Sequence, residues 1–414
     1  MPTDHTGPSS PPRAIRTRLS AMMFLQYFGM GAFLPILSFY LLDVLHFDPN
    51  QAGWIMAMQG VSAIVAPFFI TAVADRVISA ERLLALCHLG AGCAMLYLSR
   101  QTAFWPVLLN YLAFGLLFMP TFALTNAVTF RHVADPKRDF GIIRMWGPIS
   151  WVAVGWTFGY FWLRRGAAMV EGGRLPHALI LCAATCFVLA AYCLSLPRAK
   201  AAPRDTKKPP VWKSLGIFTR PSIAVLCLFT LVNSIIHQFY YYGMGPFLSQ
   251  AGFRQEHIMP AMSCGQLGEV FMLATLGWFL PRLGVKRALI IGVLAQVARS
   301  LAFATGHPWL TVALIPSHGI CYAYFFTVAY IYIDTHSAPH ERVGAQQLFN
   351  ILIAGLGNLF GHSLAGLTAH HLTRTGGIDF RAFWLISAAA AVVVAVAMGL
   401  FFREEEPVAQ EGGS

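Results

Sequence analysis

Apolar residues run along this chain in twelve stretches of about twenty, each closed off by a short polar or charged segment: 20–43, 51–73, 81–99, 103–128, 140–163, 176–196, 221–249, 257–280, 287–305, 308–333, 345–371 and 380–402. A bilayer core about 30 Å thick needs roughly 20 mostly apolar residues in a helix. Backbone amides left unpaired in lipid are too costly for irregular chain to cross it. The pattern therefore predicts an all-α integral membrane protein with twelve transmembrane helices. The first stretch is too long for a signal-peptide core and lacks a small-residue cleavage site, so it reads as a retained span.

Composition sharpens the picture. Of 414 residues, 57% are hydrophobic and 11% charged, against roughly 25% charged in soluble domains, which excludes a soluble enzyme. The net charge of +11 would raise the question of a nucleic-acid partner, but the placement of the charges answers it. Counting alternate loops, twenty Lys and Arg fall on the side of the two termini and seven on the other. Cytoplasmic loops carry that excess, so both termini are expected in the cytoplasm and the charge is largely a topology signal. The eight Cys lie inside apolar runs without CxxC spacing and read as small hydrophobes. No metal or cofactor is expected, and no Walker A loop supports ATP-driven transport.

The segment 197–220, opening PRAKAAPRDTKKPPVWK, is rich in Pro and positive charge and divides the spans six and six. It reads as a cytoplasmic linker between bundles at 20–196 and 221–402, flanked by a disordered N-terminus over 1–19 and a polar tail over 403–414. The halves echo each other. Span one holds Gly29-Met30-Gly31-Ala32-Phe33-Leu34 and span seven holds Gly243-Met244-Gly245-Pro246-Phe247-Leu248. A fainter echo follows spans two and eight, with Asp75-Arg76 and Arg82 matched by Arg282 and Lys286-Arg287. The competing reading, that small residues recur because they suit membrane helix contacts, covers the first echo but not the whole set. Two pseudo-symmetric six-helix bundles of this kind resemble the major facilitator superfamily, whose parallel repeats alternate access around a midplane site.

Ionisable and polar groups inside a span are costly and mark function by default. Glu269 is the thirteenth of 24 residues in span eight, near the bilayer centre, where burial disfavours the charged carboxylate and lets it load and release a proton. The alternative is a permanent pairing with an Arg or His. Gln266 shares its helical face with an amide that both donates and accepts. In span seven Gln238, Tyr241 and Tyr242 lie at i, i+3 and i+4; in span five Arg144, Pro148 and Trp151 lie at i, i+4 and i+7; in span ten His318 and Tyr322 lie four apart. Arg144 is near enough to the cytoplasmic end to snorkel. His88, His237 and His362 read as hydrogen-bonded structure, and Arg299 as structurally paired or carbonyl-capping. Amides beside aromatic faces describe a pocket for a flat, polar, largely uncharged solute.

Several strings carry a closer likeness: Phe24-Leu25-Gln26-Tyr27, Val73-Ala74-Asp75-Arg76 with Cys87-His88, Met119-Pro120-Thr121 with Asn126, Ile143-Arg144-Met145-Trp146-Gly147, Gln266-Leu267-Gly268-Glu269 and Arg342-Val343-Gly344-Ala345-Gln346. In their order and spacing they resemble the bacterial nucleoside:proton symporters of that superfamily over nearly the whole chain. The resemblance implies proton-driven nucleoside uptake across the inner membrane, with Arg144, Gln238, Gln266 and Glu269 at substrate-contact positions and Glu269 also coupling protons; a monomer is expected. It adds Trp151, Tyr241, His318 and Tyr322 at contact positions where the family pattern carries other residues, and Asp75, Arg76 and Arg82 as a cytoplasmic gate. Ala323 stands where the family has an intramembrane Asp. Two other readings stay open: a proton-coupled sugar or aromatic-carboxylate symporter, and a transporter-like receptor that moves nothing. The buried carboxylate weighs against the receptor.

Overall fold

The computed structural model describes residues 13–73, 78–133, 136–164, 174–197, 211–338 and 341–405. Each of the twelve apolar stretches is helical. Span one covers residues 13–44, span two Pro49–Val73, span three Ala80–Leu98, span four Phe104–His132, span five residues 136–163 and span six His177–Ser195. Span seven covers Pro221–Gln250, span eight Gln255–Leu283, span nine Val285–Ala304, span ten Pro308–Thr335, span eleven Arg342–His371 and span twelve Phe380–Phe401. Among the described residues, nine of these helices are long and apolar enough to cross a bilayer by length and composition. A two-residue antiparallel hairpin, Thr373–Arg374 with Gly377–Ile378, joins spans eleven and twelve.

Several helices are broken where the sequence withholds a donor. Span five is interrupted at Met145, where Pro148 has no N–H to offer the Arg144 carbonyl. Span ten breaks after Leu314 beside Pro316 and then widens into a π-helical turn over Tyr322–Thr327. Similar wide turns occur over Tyr40–Val44, Thr157–Leu163 and Ile351–Gly357. Hydroxyls satisfy carbonyls near the internal prolines: Thr121 Oγ1 donates to Phe118 O at 2.6 Å beside Pro120, and Ser263 Oγ to Pro260 O at 2.7 Å.

The described residues form two compact units. The first comprises those up to Leu34 together with those from Val65 to residue 197; the second comprises Pro35–Ile64 together with those from residue 211 onward. The grouping departs from a simple division at the linker in one segment, 35–64, and close backbone packing explains it. A methyl group added at Gly53 would lie 2.8 Å from Gly366 Cα of span eleven, so the two helices touch backbone to backbone, as small residues allow in membranes. Tyr242 Oη of span seven donates to Pro49 O at 2.7 Å. Two terminal expectations also shift. Helix begins at Arg13, shortening the stretch expected to be disordered, and the first tail residues are held: Glu404 accepts from Lys286 N at 2.5 Å and Glu405 N donates to Tyr332 Oη at 3.2 Å.

The first unit packs Leu19, Met22, Leu84, Cys87, Leu124 and Leu189 around a buried polar trio. Gln26 Nε2 donates to Thr121 Oγ1 at 2.7 Å, and His88 Nε2 donates to Gln26 Oε1 at 2.8 Å. Every member gains a partner, which removes most of the cost of burying polar groups. The second unit packs Leu226, Val293, Val297, Phe325, Phe349 and Val394, and Ala323 lies within that apolar core.

Candidate functional site

Spans eight and ten meet where each has given up its side chain. A methyl group added at Gly319 would land on the backbone of Gly268 and Glu269, and one added at Gly268 would land on the Pro316 carbonyl. That contact fixes the height and rotation of span eight beside the break in span ten, and with it the half-buried Glu269. One turn away, Gly265 faces His318 at 3.3 Å.

Behind this crossing sits a hub centred on Arg299 of span nine, which is 1% exposed. Its Nη1 donates to His318 Nδ1 at 3.0 Å. Its Nη2 donates to His237 Nδ1 at 3.2 Å and to Gln296 Oε1 at 3.1 Å. Gln296 Nε2 continues to Asn233 Oδ1 at 3.3 Å, and Cys321 donates its S–H to Gln296 Oε1 at 3.3 Å. The guanidinium also lies over the Tyr240 ring, 4.7 Å from its centroid, a cation–π contact that strengthens when desolvated. The two imidazoles stack at 4.9 Å. A buried cation without a carboxylate is costly, and here three N–H contacts to imidazole nitrogens and an amide oxygen, with one face over an aromatic ring, offset part of that cost.

The hub touches the expected site residues through Tyr241. Tyr241 Oη lies 3.5 Å from His318 Nε2, and Glu269, Tyr322 and Arg299 all act electrostatically on the phenol. Tyr241, His318, Glu269 and Tyr322, from spans seven, ten and eight, are thus brought together; Tyr241 is half-buried and Tyr322 exposed. His318 is itself buried, so its imidazole faces protein on both ring nitrogens. Gln238 is buried against Gly361 of span eleven, and Gln266 is half-buried. Tyr242, next to Tyr241 in sequence, is committed to span two.

Arg144 and Trp151 belong to the first unit. The Arg144 guanidinium lies over the Tyr27 ring, 4.1 Å from its centroid, so it is held against an aromatic face of its own bundle instead of reaching for the membrane surface. Trp151 packs against Gly31 of span one, 3.2 Å from an added methyl group to its Cα. Of the gate residues, Arg82 is exposed, while Asp75 and Arg76 lie outside the described residues. Among the described residues no group of three or more His, Cys, Asp or Glu could hold a metal ion.

A family model described as nucleoside H+ symporter matches residues 13–407. The chain belongs to the nucleoside:proton symporter family. A putative nucleoside transporter of Escherichia coli K12, YegT, is 29% identical over 407 residues, covering 94% of each chain. The xanthosine permease of the same organism is 27% identical over 415 residues, covering 94% of this chain and 96% of that one. The crystal structure of the nucleoside transporter NupG superposes with a TM-score of 0.84 at 24% identity, covering 94% of this chain and all of the other. The architecture is that of the major facilitator superfamily, and this family member is a multi-pass membrane transporter, not an enzyme.

Sequence reasoning missed Arg299, Gln296 and Asn233 as parts of one assembly with His237 and His318. A local signal existed: Gln296 and Arg299 lie three apart on one face of an otherwise apolar helix. Their partners come from spans seven and ten, 62 and 19 residues away, and no helical period reports such distances.

Proposed function

We propose that this chain is a proton-coupled importer that moves nucleosides across the cytoplasmic membrane by alternating access, with both termini inside. The observation that carries the reading is Glu269. Between Glu256 and Asp334 it is the single acidic residue, it lies mid-helix, and it adjoins phenols that a nucleobase can stack on or bond to. A carboxyl in the middle of a membrane-spanning helix can take up a proton on one side and give it up on the other, which is what coupling to a proton gradient requires.

The roles follow from chemistry. Glu269 loads a proton before substrate, so that no net charge is stranded in the membrane when the carrier turns. Tyr241 and Tyr322 offer aromatic faces, Gln266 and Gln238 offer amides that read both donors and acceptors on a base or ribose, and Trp151 offers a further aromatic face. Arg144, with one face covered by Tyr27, keeps its N–H edges for acceptor oxygens. His318 acts through Tyr241. Asp75, Arg76 and Arg82 are assigned to a charged latch on the cytoplasmic side.

The test is uptake by the purified chain in proteoliposomes under an imposed inward proton gradient, comparing labelled uridine, adenosine, a disaccharide and a phenylpropionate. Nucleosides are expected to accumulate and a protonophore to abolish the accumulation. Uptake of the disaccharide or the acid alone would replace the nucleoside reading, and accumulation that survives the protonophore would remove the proton.

A further inference from the structure

The hub around Arg299 sets the direction of a hydrogen bond that the substrate meets. A guanidinium carries donors only and stays charged in proteins, so each atom facing it must accept. His318 Nδ1, 3.0 Å from Nη1, therefore holds no hydrogen. Its imidazole is neutral, with the hydrogen on Nε2. For His318 that N–H faces Tyr241 Oη at 3.5 Å. The phenol oxygen accepts, and the single phenolic hydrogen is left for another acceptor. In the opposite tautomer His318 Nε2 would accept from Tyr241, and the phenol would have no donor to spare.

We propose that Arg299 and His318 are positioning residues that fix Tyr241 as a hydrogen-bond donor toward the transported solute, selecting a carbonyl oxygen or bare ring nitrogen on a nucleobase. The inference deepens the nucleoside reading and rests on it for the identity of the acceptor; the tautomer stands on geometry alone. Burial keeps the device dry: Arg299 and His318 are each 1% exposed and His237 4%, so no water competes for Nδ1. The stacking of His318 on His237 and the tilted Tyr240 ring at 5.1 Å hold the imidazole plane.

Two substitutions separate this role from simple packing. In His318→Gln the amide oxygen accepts from Arg299 and the NH2 donates to Tyr241, preserving the direction. In His318→Glu the carboxylate accepts from Arg299 and from Tyr241, reversing it, while an ion pair with Arg299 maintains the fold. Nucleoside counterflow, which needs no proton gradient, is expected to show a KM within two-fold of wild type for His318→Gln. For His318→Glu and for Tyr241→Phe, KM is expected to rise about five-fold, the worth of one hydrogen bond of about 1 kcal/mol, with little change in maximal rate. The double variant should be no worse than either single one. Equal KM for the Gln and Glu variants overturns the proposal.

A second measurement needs no variant to transport. In 15N-histidine-labelled protein in lipid nanodiscs, the His318 signal, assigned by its loss in His318→Gln, should report hydrogen on Nε2 and a bare Nδ1. An imidazolium, or hydrogen on Nδ1, also overturns the proposal. If wild-type protein carries no nucleoside while this signature is present, the nucleoside reading fails and the fixed polarity of Tyr241 stands.

Discussion

Glu269→Gln should abolish accumulation of nucleoside against its gradient while leaving counterflow of labelled for unlabelled substrate within a few-fold of wild type. The amide has the shape of a protonated carboxyl and keeps its hydrogen-bonding reach, so the substrate-loaded carrier still turns. What it cannot do is release a proton on the cytoplasmic side. The variant therefore equilibrates solute but stores nothing, and acidifying the outside of the vesicles no longer accelerates entry. The measurement is paired: uptake under an imposed pH gradient, and counterflow without one. Concentrative uptake at the wild-type level would show that another group carries the proton.

Gly319→Val is expected to cost more than most substitutions in the chain. The added side chain meets the backbone of Gly268 and Glu269, and backbone atoms cannot rotate aside as a flexible side chain can. Overpacking typically costs about 1–3 kcal/mol, and the obstacle here puts the loss at the upper end. Thermal unfolding of the detergent-solubilised protein should shift down by roughly 5–10 °C. Any protein recovered should couple poorly, because the crossing that is forced apart also sets the position of Glu269. Gly277→Val in the same span eight is the control, since a methyl group there meets nothing within 4 Å. Equal melting temperatures for the two variants would mean that the contact between spans eight and ten is looser than it looks.

Most of the fold was legible because the solvent enforces it. A membrane demands about twenty apolar residues per crossing and full internal pairing of the backbone, so span limits read from the sequence fall within about four residues of the helices found, except at the start of span one, where helix begins at Arg13. The interruptions were less legible. Pro148 and Pro316 announce breaks, but the wide turns over Tyr322–Thr327 and Ile351–Gly357 depend on which carbonyls neighbouring helices can satisfy. They also blunt arguments from i, i+4 spacing, since a wide turn advances the face by about one residue. His318 and Tyr322 straddle the start of one, and they differ in burial accordingly.

The candidate site was legible in its members and illegible in its wiring. Glu269, Tyr241, His318 and Tyr322 stand out as polar or aromatic groups in apolar spans, and the structure gathers them. That Arg299 would orient His318 could not be read, because a lone Arg in a helix signals only that it needs partners and not where they are. The grouping of residues 35–64 with the second unit was hidden for a similar reason: Gly53 and Gly366 are 313 residues apart, and glycine alone does not say what comes close.

Ala323, buried among Phe325, Val328 and Ala329 in the second unit's core, has a bioenergetic consequence. With Glu269 the single acidic side chain between Glu256 and Asp334, the proposed cycle moves one charge for each neutral solute. The steepest solute ratio such a carrier sustains equals the proton electrochemical gradient itself: about 2.3 kcal/mol per 100 mV, or on the order of fifty-fold. That ratio is what each 100 mV of gradient sustains, and two protons per cycle would square it.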